Sequence, residues 1–468
     1  MSERSRGYYD YLTRIAAAVP SSVKLYLVGG AVRDMILGKP LHDYDFILEG
    51  LVRQIAKRIA DEFDGKYYVM DEERDIVRVI IRDHDHFIHF DFAKIVGDIF
   101  EDDLRNRDFT INAIGVEFRE KQAFLDPLGG ISDLKEKRLR MCLPSSLRSD
   151  PIRALRGIRF SLEYGLKMDD ELIREMEKIP AYLPNSSMER YRDELFKILS
   201  LGRGSSVVQL MERFAILDFL FPNDSMIPID LLMGRMRTLE HLLSILTTDF
   251  KDNESSNLVS GFSVLKLGEF RNSLRKYFDV EKNSLRPRRS VLRFAVMAGL
   301  YKVDPKSEPI ERILSFRGQR LVLSSDEVRN IKNVFPACEA IRKIIDSPFS
   351  VDALAVYRYF KQFPEVGVEG IFLFLTQRFD STTEKSDPDA WFRAVDRVVP
   401  FLDAKFNREA QALNPKPFLT GKEIIETLAL GEGPDVGRFK ELVIEGQVTG
   451  AIKTRDEALS FLLELRPS

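Results

Sequence analysis

Cysteine is almost missing from this sequence. Cys142 and Cys338 are the two present in 468 residues, too few for a disulfide framework or a thiolate metal site. No stretch approaches the roughly 18 uncharged residues that a membrane helix needs, so no membrane association is expected. An apolar leader core is missing too, because the opening MSERSRGYYDYL carries charges and tyrosines; we expect a cytoplasmic chain that is not exported. Neither sign of charge dominates, with 70 Lys+Arg against 73 Asp+Glu and a net charge of −3, which excludes a histone-like polycation. What remains is 44% apolar and 31% charged residues, the balance of a folded, water-soluble protein with length for about three domains.

The first third reads as α/β. Val23 to Val28 is a short apolar run that ends in Gly29-Gly30, and a helical pattern follows from Ala31 to Leu37. Further strands are predicted at Tyr44–Leu48, Val77–Ile81 and Phe87–Phe92, then a hairpin of Ile114–Phe118 with Gln122–Leu125. From about residue 146 the pattern is helical almost throughout, broken at Pro180, Pro184, Pro222 and Pro228 and at the polar stretches Asp252–Asn257 and Ser381–Asp389. No regular repeat or low-complexity tract interrupts it. The expected fold class is α+β: a small mixed sheet with helices, followed by a long all-helical array.

Four segments carry chemistry. In Leu25-Tyr-Leu-Val-Gly-Gly-Ala-Val-Arg-Asp34, a strand runs through two glycines into a helix, which lets backbone N–H groups approach an anion. Arg33 can add a fork of donors to a phosphate. Next, Asp43 and Asp45 in Leu41-His-Asp-Tyr-Asp-Phe46 are two apart on a predicted strand and share one face, a suitable pair for divalent metals. The third segment is Leu104-Arg-Asn-Arg-Asp-Phe-Thr-Ile-Asn-Ala113; there Arg107 suits a phosphate, while Asp108 and Asn112 suit a ribose hydroxyl. The fourth is Asp150-Pro-Ile-Arg-Ala-Leu-Arg-Gly-Ile-Arg-Phe160. Pro151 is expected at the first helical position with Asp150 as its cap. Arg153, Arg156 and Arg159 recur every three residues on one face, and Ile152, Leu155 and Ile158 turn to the core. A stack of like charges repels itself, so an anion is expected against it. Asp150 and Arg153 also suit the amino donor and ring-nitrogen acceptor that cytosine and adenine share; guanine and uracil present the opposite polarity.

These segments, in this order, closely resemble the class II tRNA nucleotidyltransferases, the family of CCA-adding enzymes and bacterial poly(A) polymerases. The resemblance extends from Leu25 to about Leu199 and includes Asp126-Pro-Leu-Gly-Gly130 and Ser187-Met-Glu-Arg-Tyr-Arg-Asp-Glu-Leu195. Leu419-Thr-Gly-Lys422 and Gly433-Pro-Asp-Val-Gly437 match the tail of longer members less closely. It implies a nucleotidyltransferase head at 1–145, a neck of nucleobase-recognising helices at 146–200, a helical body at 201–408 and a tail at 409–468. It further implies that Asp43 and Asp45 are catalytic and hold Mg²⁺. Gly29, Gly30, Arg33, Arg107, Asp108 and Asn112 bind the nucleotide, with Asp150 and Arg153 as a protein template beside Arg156 and Arg159. The implied partners are a tRNA 3′ end and CTP, ATP or both, with no protein partner.

Three positions depart from the family pattern. Ser149 stands where Glu is usual, so Asp150 is expected to be supported differently, and Asn106 stands where a first arginine is usual. Only the nine residues from Phe92 to Phe100 separate Asp91 from Glu101, where members that add the terminal A carry a longer flexible loop. The expectation is therefore CC addition rather than full CCA addition. Poly(A) polymerase is the alternative within the enzyme class, although Gln411–Ser468, with seven Lys/Arg and nine Asp/Glu, offers no basic surface for general RNA. A catalytically silent RNA-binding protein would need loss of the carboxylates or of the phosphate cradle, and both are present.

Weaker signals are read more plainly. His84, His86 and His89 form a polar hairpin tip, and Asp91 is a secondary candidate for a third active-site carboxylate. The body keeps one histidine, His241, of a His-Asp phosphohydrolase pattern but has Ala298-Gly299 where the His-Asp pair belongs, so a degenerate scaffold is expected. Two runs are basic: Lys135–Arg159 and Arg271–Arg293 each hold eight Lys/Arg and two acids. The second is read either as a track for an RNA backbone or as a solvated face.

Overall fold

A computed structural model of the chain describes residues 3–41, 43–83, 86–97, 99–117, 124–222, 229–247, 266–279, 286–303, 308–378 and 388–465. Two compact units divide it, Met1–Glu194 with Arg213–Ile216 and Leu195–Glu212 with Leu217–Ser468.

The first unit is built on a seven-stranded sheet. In chain order its elements are α1 (Glu3–Ala18), β1 (Leu25–Val28), α2 (Gly30–Ile36), β2 (Asp43–Leu48), α3 (Val52–Glu62), β3 (Lys66–Asp71), β4 (Ile76–Asp83), β5 (His86–Lys94), α4 (Phe100–Arg105), β6 (Gly115–Glu117) and β7 (Phe124–Leu125). The strand order is β3-β4-β5-β2-β1-β6-β7. β2 and β5 run parallel, in a register that sets Asp43 beside His89 and Asp45 beside Asp91; the other neighbours are antiparallel. β2 and β5 are buried centrally, and Tyr44, Phe46, Phe90 and Phe92 are at most 1% exposed. Phe46 and Phe92 stack across the parallel pair at 5.1 Å. On α3, Val52, Ile55, Ala56, Ile59 and Ala60 are buried, an apolar stripe at helical spacing that covers the β3–β5 end.

The predicted strands at 23–28, 44–48, 77–81 and 87–92 correspond to β1, β2, β4 and β5. β4 and β5 form a hairpin closed by the Asp83–His86 pairing; of the expected tip residues, His84 lies outside the described residues, His86 opens β5, and His89 is not at the tip but within β5, beside Asp43. β6 pairs with β7 as the second expected hairpin, and residues 118–123 between them are likewise outside. Among the elements from α1 to β7, four were not anticipated: α1, α3, α4 and the edge strand β3.

The unit continues with α5 (Gly130–Lys135), β8 (Arg138–Leu139), α6 (Ser146–Ser149), α7 (Ile152–Tyr164), β9 (Lys167–Met168), α8 (Asp170–Glu177) and the first turns of α9 (Met188–Ser200). In the Asp126-Pro-Leu-Gly-Gly130 turn, the Asp126 carboxylate accepts from the N–H groups of Gly130 (2.6 Å) and Ile131 (2.9 Å). A Cβ at Gly130 would meet the Thr110 carbonyl oxygen at 2.1 Å, so only glycine fits. Ile152, Leu155 and Ile158 of α7 are at most 5% exposed, as their spacing predicts. Gly157 lets Phe109 approach the helix, and Phe109 meets Phe160 edge-on at 5.8 Å.

The second unit is helical among its described residues, with Ser325–Ile345 and Gly367–Arg378 in close contact at its centre. Ala298 and Gly299, the position of the missing His-Asp pair, are buried. The Ala298 carbonyl accepts from Arg317 at 2.6 Å, and a Cβ at Gly299 would meet Phe335 at 2.5 Å; this stretch is filled by packing. The tail has its own apolar cluster, including Leu419, Ile424, Leu428 and Val443. Its helix Gly421–Leu428 opens with a capping box of Thr420 and Glu423, and Pro434 starts the next. No described helix is long and apolar enough to cross a membrane.

Candidate active site

The four segments singled out by sequence converge on one end of the sheet. β1 ends at Val28, opposite Asp45 in the antiparallel register, and the chain turns through Gly29 at φ 74° into α2. That left-handed conformation strains any side chain, and space forbids one as well. A Cβ on Gly29 would lie 3.0 Å from Arg107 Nη1 and 3.3 Å from Asp45 Oδ2. The glycine turn, the strand carboxylate and the third-segment arginine therefore border the same small volume.

Asp43 and Asp45 share a face, as their spacing requires. The Asp43 side chain is 74% exposed, with His89 Nδ1 3.6 Å from its carboxylate. Asp45 is half-buried. Burial pushes its carboxyl up; Arg107 and Arg78 oppose this, while Asp91 and Asp43 add to it. Hard oxygen donors gathered against their own repulsion suit a divalent cation. Among the described residues no three or more His, Cys, Asp or Glu side chains form a metal cage. Asp91, the secondary candidate, is aligned with Asp45, but Arg78 holds both its oxygens at 2.7 Å.

Arg107 is aimed from α4's end by Asp103, whose carboxylate accepts from Nε and Nη2 at 3.2 Å. Behind it runs a buried polar chain. Arg33, expected on a phosphate, is 6% exposed and turns its fork inward. It donates to Asp34 at 3.0 and 3.1 Å and to Asn112 Oδ1 at 2.6 Å, with its plane 4.4 Å from the Tyr164 ring. The Asn112 amide donates to Asp108 at 3.0 Å, and Arg156 donates to the other Asp108 oxygen at 2.7 Å. Burial alone would raise the Asp108 carboxyl, but Arg156, Asn112 and the Phe109 N–H hold it below the ordinary aspartate range. Asp108 and Asn112 thus sit beneath the surface as braces between α2 and α7.

The neck arginines correct the repulsion argument: the anions against them are the protein's own. Arg156 meets Asp108, and Arg159 meets Glu194 (2.5 Å) and Glu163 (2.9 Å). Arg153 differs. Its four hydrogen bonds end on neutral oxygens, the Ser146 hydroxyl (2.8 Å) and the carbonyls of Asn106 (2.9 Å), Arg107 (3.3 Å) and Ser146 (3.5 Å). Asp150 does not act as the expected cap. α7 begins at Ile152, and the Asp150 carboxylate takes a bidentate fork from Arg190, at 2.9 and 2.8 Å. Sequence reasoning missed Arg78, Asp103, Arg190 and Glu194 as partners. Arg190 and Glu194 lie inside a motif already singled out, one turn apart, and that spacing was the available signal.

Residues 25–140 match the family described as "Poly A polymerase head domain", and residues 165–225 match "Probable RNA and SrmB- binding site of polymerase A". The CC-adding tRNA nucleotidyltransferase of Geobacter sulfurreducens is 27% identical over 96% of this chain and 96% of its own length. The A-adding tRNA nucleotidyltransferase of Deinococcus radiodurans is 28% identical over 93% and 94%. Among solved structures, the CCA-adding enzyme of Thermotoga maritima complexed with tRNA superposes with a TM-score of 0.62 at 20% identity, covering 99% of this chain and 96% of that one, which shows the same fold. Together these matches support the class II tRNA nucleotidyltransferase and poly(A) polymerase family for this chain.

Proposed function

We propose that this chain is an Mg²⁺-dependent nucleotidyltransferase that adds C residues from CTP to the 3′ end of tRNA. The observation that carries this reading is the convergence of Asp45 and Arg107 on Gly29, which puts carboxylate oxygens, a cation and a glycine turn around one small volume. In this reading Asp43 and Asp45 hold Mg²⁺. The chemistry a bound Mg²⁺ supplies at such a pair is activation of the attacking 3′-hydroxyl and neutralisation of the triphosphate. The Gly29 N–H already donates to the Ile114 carbonyl at 3.3 Å, so the Gly30 N–H and the Arg107 guanidinium take the phosphates. Arg33, Asp108 and Asn112 support them from behind, and Arg156 and Arg159 fix α7.

Asp150 accepts the amino group of the base while Arg153 donates to its ring nitrogen. Guanine or uracil would leave charged groups without partners, at a cost of about 1–3 kcal/mol for each. CC addition is favoured by the segment after β5. Ile95 N donates to the Leu48 carbonyl at 3.0 Å, Val96 N to Asp103 at 3.3 Å, and Gly97 packs on Asp102. A short segment tied down at these points has little freedom to reshape a pocket between C and A. The test is CTP incorporation into tRNA lacking CCA. Asp43→Ala and Asp45→Ala should each abolish it with the fold intact by circular dichroism; activity surviving in the double variant refutes the metal assignment.

A further inference from the structure

The two template side chains are held in different ways. Arg153 rests on neutral oxygens, whereas Asp150 is gripped on both carboxylate oxygens by the Arg190 fork. Arg190 itself has a fixed base. It stands in the first turn of α9, its Nη1 also donates to Ser186 Oγ at 3.3 Å, and its neighbour Tyr191 is fully buried with its hydroxyl on the Leu183 carbonyl at 2.8 Å. One turn on, Glu194 holds Arg159, so α9 secures the α7 region at two points.

A bidentate fork uses one lone pair on each carboxylate oxygen. Asp150 therefore keeps acceptor capacity but loses rotation, and the direction from which an amino group must approach is set. Cytosine and adenine differ at this point. With ribose and triphosphate held alike, a purine carries its amino group and ring nitrogen farther out than a pyrimidine does. A template fixed in one place suits one ring size. Position 149 offers Arg190 no competing carboxylate, since Ser149 Oγ turns back to the Ser146 carbonyl at 3.0 Å.

We propose that Arg190 is a positioning residue for nucleotide choice: its fork fixes Asp150 where cytosine reaches it and so disfavours adenine. The proposal rests on the reading of Asp150 and Arg153 as the template of a C-adding enzyme.

Steady-state incorporation of CTP and of ATP by the full chain tests it. Arg190→Gln should raise the KM for CTP about tenfold, the size of one lost charge-assisted hydrogen bond, with kcat nearly unchanged. ATP incorporation relative to CTP should rise. Arg190→Lys keeps the charge without the fork, so it should restore thermal stability but not the selectivity. Ser149→Glu, at an exposed position, supplies a second carboxylate for Arg190. It should shift the CTP-to-ATP ratio in the same direction and have no further effect in the Arg190→Gln background. An unchanged KM and ratio in Arg190→Gln, full rescue by lysine, or a Ser149→Glu effect independent of Arg190 would each overturn the proposal. Asp150→Ala with an unaltered KM for CTP would instead remove the template reading beneath it.

Discussion

The runs Lys135–Arg159 and Arg271–Arg293 each hold eight basic residues against two acids, yet the two units use them differently. In the second run the described arginines are mostly absorbed by carboxylates. Arg288 donates to Glu369 at 2.9 Å and to Glu365 at 3.2 Å, Arg286 pairs with Glu327, and Arg289 pairs with Asp279. Glu327 and Glu369 are only 5% and 4% exposed. These are structural ion pairs, so these three arginines are held by the protein's own carboxylates. In the first run Arg138, Arg140, Arg156 and Arg159 are likewise neutralised, but Arg153 ends on neutral oxygens and keeps its charge beside Asp150. Density of charge along a chain says little about function; the kind of partner each charge meets says much more.

That contrast can be broken by experiment. Arg288→Met removes the cation from buried Glu369 and should cost about 3–5 kcal/mol, read from the denaturation midpoint, with CTP incorporation per folded molecule unchanged. A cost below about 1 kcal/mol would show that this run is not structural. Arg153→Ala should do the reverse. Its kcat/KM for CTP should fall about 100-fold while stability drops by about 1–2 kcal/mol; equal activity would erase the distinction between the runs.

A smaller, pH-dependent effect is expected at Asp133, where Arg138 (2.7 Å), Arg140 (2.9 Å) and the Thr110 hydroxyl (2.6 Å) converge. Burial would raise this carboxyl, but Arg140, Thr110 and Arg138 together hold it below its ordinary 3.8. Its folded pKa is thus the lower one, so its stabilising contribution is complete above about pH 4 and vanishes as the pH falls through the folded value. Asp133→Asn should melt earlier than the parent at neutral pH, with the gap closing in acid. A gap of constant size from neutral pH to about pH 2 would contradict the assignment. The smallest effect belongs to the pair of Arg358 in the body and Glu445 in the tail, at 2.7 Å, where the arginine is 60% exposed. Arg358→Ala should change stability by no more than about 0.5 kcal/mol.

The elements best anticipated from sequence are those whose signal is local. The glycine turn after β1, the alternating carboxylates of β2 and the apolar face of α7 follow from spacing alone. β3 was missed because its residues Lys66 to Met70 are all exposed, so no buried face imposes an alternation that could be read. The partners of the site side chains were missed for another reason. Arg78 reaches Asp91 through the β4–β5 register, and Arg190 reaches Asp150 across 40 positions; neither pairing leaves a mark within a window of sequence. The repulsion argument for the α7 arginines failed on the same point, since Asp108 and Glu194 come from other elements.

The central claim is that the short, tied segment after β5 and the fixed Asp150 confine this nucleotidyltransferase to C addition. The most direct measurement supplies the purified chain with tRNA lacking CCA, tRNA ending in C and tRNA ending in CC, each with CTP, ATP or both. The account predicts two C residues added to the first substrate, one to the second, and no efficient A addition to the third. Efficient transfer of A from ATP onto the CC-ended tRNA would contradict it.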